Sequence, residues 1–196
     1  MAEFWTYQSC AVRPPKLIKP YVISFCRSVV ADPKPVYVPL RPLDGVAANS
    51  CFEVIPDYVA KHAGQQVIGW SIWEWPKVFI EAEFHAVWRQ PDGTLLDITP
   101  KVFPMPRILF LPDPVRIYKG RQVDNIRKPL ARDPAIKRFC ELFTLIYREL
   151  NKGELADYHG PVVATPLVQQ YMAEKEQVGM LLTHRYGVYT PEPFDS

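Results

Sequence analysis

A chain of 196 residues that is 48% hydrophobic and 22% charged has the size and composition of one ordinary globular domain, outside the low-hydropathy, high-charge range of disordered chains. Its net charge of +2 excludes a strongly acidic or basic protein, and no run of about 18 apolar residues offers a membrane-spanning helix. Proline is the outlier: of 21 residues, fifteen lie in the first 114. Proline lacks the N–H that helix interiors and central strands use, so this stretch is not a helix bundle.

The N-terminus carries Glu3 and has no basic stretch leading into an apolar one, so no secretory leader and a cytoplasmic location are expected. Cys10, Cys26, Cys51 and Cys140 are scattered and form no C-x-x-C pair, which leaves a zinc ribbon unsupported and free thiols expected. In chain order, Tyr21 to Phe25 and Val36 to Leu40 read as short strands near an edge. Residues 49–63 read as a helix, capped by Asn49 or Ser50 and ended by Gly64. Pro56 leaves two versions of it: a helix that starts near Pro56 with Cys51 in the preceding loop, or one that starts at Cys51 and passes through the proline.

Strand-like runs follow at Gln65 to Trp73, Val78 to Trp88 and Thr94 to Thr99, the last after the hairpin signal Pro91-Asp92-Gly93, with a further run at Val102 to Leu111. The remainder is helical. Asp133-Pro134 and Thr165-Pro166 each supply a cap and a first-turn proline. Ile136, Phe139, Cys140, Phe143, Ile146, Tyr147 and Leu150 fall on one helical face, and Leu167 to Leu182 carry a second such stripe. Tyr189 to Ser196 reads as a frayed tail. The expected architecture is α+β: a Pro-rich core over residues 1–115 of one helix packed on an antiparallel sheet, then a basic connector and helical extension over 116–196 packed on that core.

Strand period two sets Ile80, Ala82, Phe84, Ala86 and Trp88 on an apolar face and Glu81, Glu83, His85 and Val87 on the other. A hairpin centred on Pro91-Asp92 returns Asp97 alongside His85, and a one-residue bulge is the device that would put the two on one face. An imidazole beside a carboxylate is an oriented base. Cys51 is the candidate nucleophile, because a helix N-terminus and a neighbouring histidine both favour the thiolate. The order Cys51, His85, Asp97 is that of a thiol acyl-transfer site. The Cys51 backbone N–H is one oxyanion donor, and Asn49, Gln65 or Gln66 is the candidate second. Trp70, Trp73, Trp75 and Trp88 are candidate cleft walls or sheet core.

Leu95-Leu96-Asp97-Ile98-Thr99-Pro100, His85-Ala86-Val87-Trp88, Cys51-Phe52 and Gly69-Trp70 together resemble the transglutaminase-like branch of the papain-like cysteine hydrolases over residues 45–102. The chain departs from that pattern by a tryptophan one residue late and by Asn49 where a glycine is usual. The resemblance implies a papain-like core with Cys51 as nucleophile, His85 as base and Asp97 as orienter. It also implies an amide, ester or thioester substrate, small or protein, handled by an amidase, deamidase, protease or transferase, with no cofactor.

Two other readings stand beside it. Glu81, Glu83, His85 and Asp97 are an alternative divalent-metal set. Residues 116–138 hold eight basic and two acidic side chains, a net +6 against −4 for the rest. That run is the feature of a non-catalytic interaction or effector module that binds nucleic acid or an anionic surface.

Overall fold

The computed structural model describes residues 12–153, 155 and 163–187. Cys10, His159 and the tail expected to fray, Tyr189 to Ser196, lie outside them. The architecture is α+β. In chain order the elements are α1 (Pro20–Val29), β1 (Val36–Pro39), α2 (Cys51–His62), β2 (Gln65–Trp75), β3 (Phe79–Arg89), β4 (Leu95–Leu96), β5 (Arg107–Pro112), β6 (Ile126–Pro129), α3 (Pro134–Leu150) and α4 (Pro166–Tyr186). The sheet order is β1-β5-β2-β3-β4, with β6 paired to β3. No helix among the described residues is long and apolar enough to cross a membrane.

The chain divides into two compact units. The first comprises Pro14–Trp73 and Ala82–Tyr118 and holds α1, α2 and most of the sheet. Its outer strand β1 runs antiparallel to β5, with Val36 opposite Phe110 and Val38 opposite Ile108; the Pro39 that ends it sits where a missing N–H costs no ladder bond. Strand β5 also pairs antiparallel with β2, Ser71 opposite Phe110. The close approach depends on Gly69: a Cβ there would lie 2.7 Å from the Phe110 ring and 2.9 Å from Pro112 Cα, and would collide with the Leu111 carbonyl. Helix α2 buries Ile55 and Cys51 against Ala86, Trp88 and Ile98.

The second unit comprises residues 12–13, Glu74–Glu81 and the described residues of Lys119–Thr190. Its core joins Trp75, Val78 and Phe79 to Ile136, Phe139 and Leu182, with Cys140, Phe143 and Val178 packed around them. Asp133 accepts from Ala135 N at 2.9 Å, which is the N-cap the sequence predicts for α3. Its other oxygen takes Arg185 and the Tyr186 hydroxyl at 2.9 Å, so one cap also fixes the end of α4. Arg138 holds Glu174 through two bonds, at 2.6 and 2.7 Å.

Three expectations are corrected, and of the two versions of the Cys51 helix the second is found. Tyr21 to Phe25 is not a strand but part of α1, where Pro20 opens the helix and Val22, Phe25 and Cys26 are buried on one face; helical burial outweighs the β-preference of Val-Ile-Ser-Phe. Helix α2 begins at Cys51 and carries Pro56 in its interior, losing only the bond to the Phe52 carbonyl. The strand expected over Thr94 to Thr99 shrinks to Leu95–Leu96, because Asp97 N instead donates to Pro39 O at 2.9 Å and Arg41 N to Asp97 O at 2.8 Å. The connector contains a strand, β6, whose Ile126–Pro129 shows too short a pattern to read.

Candidate active site

The hairpin register places the base. Trp88 lies opposite Leu96 and Arg89 opposite Leu95, one step away from the expected register. Extended three residues past Trp88, this pairing sets His85 level with Thr99 and, on the way, Val87 level with Asp97. The histidine and aspartate therefore share a sheet face with no bulge, because alternate residues point the same way. His85 Nε2 lies 2.9 Å from Asp97 Oδ2, and the residues are 4% and 0% exposed. Thr99 N donates to Asp97 Oδ1 at 3.0 Å, so the carboxylate is held at both oxygens.

A third group completes this cluster. Lys101 Nζ lies 2.9 Å from Asp97 Oδ2 and 3.1 Å from His85 Nε2, with its side chain 10% exposed. Residue spacing alone does not place it there; the turn through Thr99-Pro100 does. Burial and the Lys101 charge push the His85 proton affinity down. The Asp97 charge and hydrogen bond, helped by a hydrogen bond to Cys51, outweigh them and raise its pKa to about 9. Burial pushes Asp97 up, but His85, Lys101 and the Thr99 N–H prevail and take its pKa to about 2. With Nε2 turned to Asp97, Nδ1 is the nitrogen left for the thiol.

Cys51 is the first residue of α2 and is 3% exposed. Asn49, before it, is exposed with φ 65°, the left-handed region that asparagine tolerates better than most residues. The Ser50 hydroxyl makes no cap bond to the helix; it donates instead to Ala47 O at 2.7 Å. The first-turn N–H groups thus receive no side-chain cap from Ser50; of these, Glu53 N donates to Ser50 O at 3.1 Å, and the N–H groups before it lie ahead of the first i to i−4 acceptor. Phe52 stacks between Phe84 at 4.8 Å and Tyr118 at 4.1 Å.

The other thiols differ. Burial raises Cys26 to about 11 and Cys140, half-buried on the apolar face of α3, to about 12. Cys26, Cys51 and Cys140 are all free.

Other sequence candidates lie elsewhere or are committed to other partners. Gln65 and Gln66 line a cavity of about 650 Å³ walled also by Lys34, Arg89, Asp113 and Arg116, with neither Cys51 nor His85 in its lining. They follow the C-terminal end of a 12-residue helix, about 18 Å from its first residue, so Gln66 is not the second oxyanion donor. Trp70, Trp73 and Trp88 are buried, and each indole N–H is used: on Asp113 at 3.0 Å, Glu83 at 2.7 Å and Ala63 O at 2.9 Å. They are core.

The metal set is not assembled. Glu81 binds Arg127 at 3.0 Å and Asn125 at 3.1 Å, Glu83 binds Trp73, and no three His, Cys, Asp or Glu side chains converge among the described residues. In the basic run, Arg127 also pairs with Asp124 at 2.9 Å and Arg138 with Glu174, so part of its charge is neutralised internally. No family model matches the chain, and no curated protein or solved structure is significantly similar to it.

Proposed function

We propose that Cys51, His85 and Asp97 form a thiol acyl-transfer site on a papain-like core of the transglutaminase-like kind. The observation that carries the reading is the buried His85–Asp97 pair at 2.9 Å, with Cys51, the first residue of α2, near enough to the same imidazole to help raise its proton affinity. Cys51 Sγ passes its proton to His85 as it attacks the carbonyl carbon of an amide, ester or thioester. The first-turn N–H of α2 receives the oxyanion. His85 gives its proton to the leaving amine, alcohol or thiol, and an S-acyl enzyme remains. Water or an amine then attacks that thioester while His85 takes up the proton. Water gives an amidase, deamidase or protease and an amine gives a transferase. Asn49 at positive φ supports the resemblance at the point where its residue type departs, since the position asks for the backbone that glycine adopts freely.

Alkylation with iodoacetamide at pH 6, mapped by peptide mass spectrometry, tests this in a Cys10→Ser background. Cys51 is expected to label at least 10-fold faster than Cys26 and Cys140, which burial keeps protonated, and His85→Ala is expected to erase the preference. Equal slow labelling of all three thiols in the otherwise wild-type protein contradicts the reading.

A further inference from the structure

We propose that Lys101 is a positioning residue of this site: its ammonium fixes the Asp97 carboxylate and, lying beside the same ring nitrogen, loosens the hold of His85 on its proton. The inference rests on the thiol reading for its purpose but on separate geometry for its substance. Asp97 Oδ1 is taken by the Thr99 N–H, so His85 Nε2 and Lys101 Nζ, each 2.9 Å away, share the single oxygen Oδ2. The two nitrogens are 3.1 Å apart. When His85 is protonated, two cations face one anion in a site removed from water, where charge interactions are strong. Lys101 opposes the imidazolium, and Asp97 favours it.

That opposition has a chemical use. A buried carboxylate acting alone would hold the imidazolium proton too tightly for efficient transfer, since a general acid works best when its proton affinity lies near the working pH. A lysine beside the same ring lowers that affinity while keeping the carboxylate in place. The groups that act on His85 are Asp97 and Lys101 from the segment after β4 and Cys51 from α2; from β5 it meets the uncharged Phe110 ring, 6.4 Å between centroids.

The test is an NMR titration of the His85 imidazole in the wild-type chain, Lys101→Met and Lys101→Arg, with Cys51 alkylation followed in the same samples. Lys101→Met is expected to move the His85 midpoint up by about one pH unit, a tenfold tighter hold on the proton, and Lys101→Arg to restore most of the wild-type value. Should Lys101→Met fail to fold, Asp97→Asn is compared with Asp97→Asn/Lys101→Met, which removes both buried charges together; the second change is again expected to raise the midpoint. A midpoint that stays put or falls overturns the role of Lys101, whatever the labelling shows. A raised midpoint with unselective Cys51 labelling upholds the hold of Lys101 on His85 and overturns the thiol reading instead.

Discussion

Asp97 is the residue on which the site depends, because it is 0% exposed and satisfies one backbone amide, one imidazole and one ammonium together. Asp97→Ala leaves Lys101 and His85 buried without their anion. Breaking one side of a buried pair costs about 3–5 kcal/mol, so urea unfolding is expected to show a loss of that size; a loss under about 1 kcal/mol would show that the cluster is solvated and its charges screened. The sequence made His85 and Asp97 legible as a pair, because strand alternation and a turn signal constrain which residues meet. It did not make Lys101 legible. Four residues of separation implies contact only on a helix, and here the contact comes from a loop that bends back after a two-residue strand.

Helix α2 and strand β2 carry the geometry that presents Cys51. Pro56 is exposed inside α2, where proline costs about 3 kcal/mol relative to alanine, less about 0.4–1 kcal/mol that it returns by stiffening the unfolded chain. Pro56→Ala is therefore expected to raise stability by roughly 2–3 kcal/mol in denaturant melts, and a decrease would place the helix start after Cys51. Gly69→Ala is expected to cost about 1–3 kcal/mol by forcing β5 away from β2; an unchanged midpoint would mean that β5 does not approach as described. The helix starts at Pro134 and Pro166 were readable because cap and proline chemistry is local. Helix α1 was not, because Tyr-Val-Ile-Ser-Phe satisfies a strand pattern as well as a helical stripe, and only its partners across the sheet unit decide. The register of β4 escaped by a single step for the same reason: the turn sequence fixes a hairpin, while backbone bonds from Pro39 and Arg41 fix where its ladder stops.

For the molecule, the buried charges set how stability varies with pH. His85 is held above its ordinary 6.5, at about 9, so the folded state binds its proton more tightly than the unfolded chain. That contribution is complete below about pH 6.5 and is lost as pH rises through about 9. Asp97 runs the other way: its contribution is present above 3.8 and is lost as pH falls toward about 2. Lys175, pushed down to about 8 from 10.5 mainly by burial, with the Arg127 charge adding to it, opposes His85, since stability rises as the unfolded lysine loses its proton between those values. Thermal melts from pH 6 to 10 are expected to fall more steeply in Lys175→Met than in the wild-type chain, and less steeply in His85→Gln; parallel curves for all three would contradict the assigned proton affinities.

The central claim is that Cys51 carries an acyl group between two partners, and trapping that group tests it most directly. Mixing the protein with p-nitrophenyl acetate and following nitrophenol release by stopped flow is expected to give a burst approaching one equivalent per chain. Intact-protein and peptide mass spectrometry should then find the acetyl group on Cys51, with no burst in Cys51→Ala or His85→Ala. A linear release without a burst, or an acetyl group spread over lysines and absent from Cys51, would contradict the account.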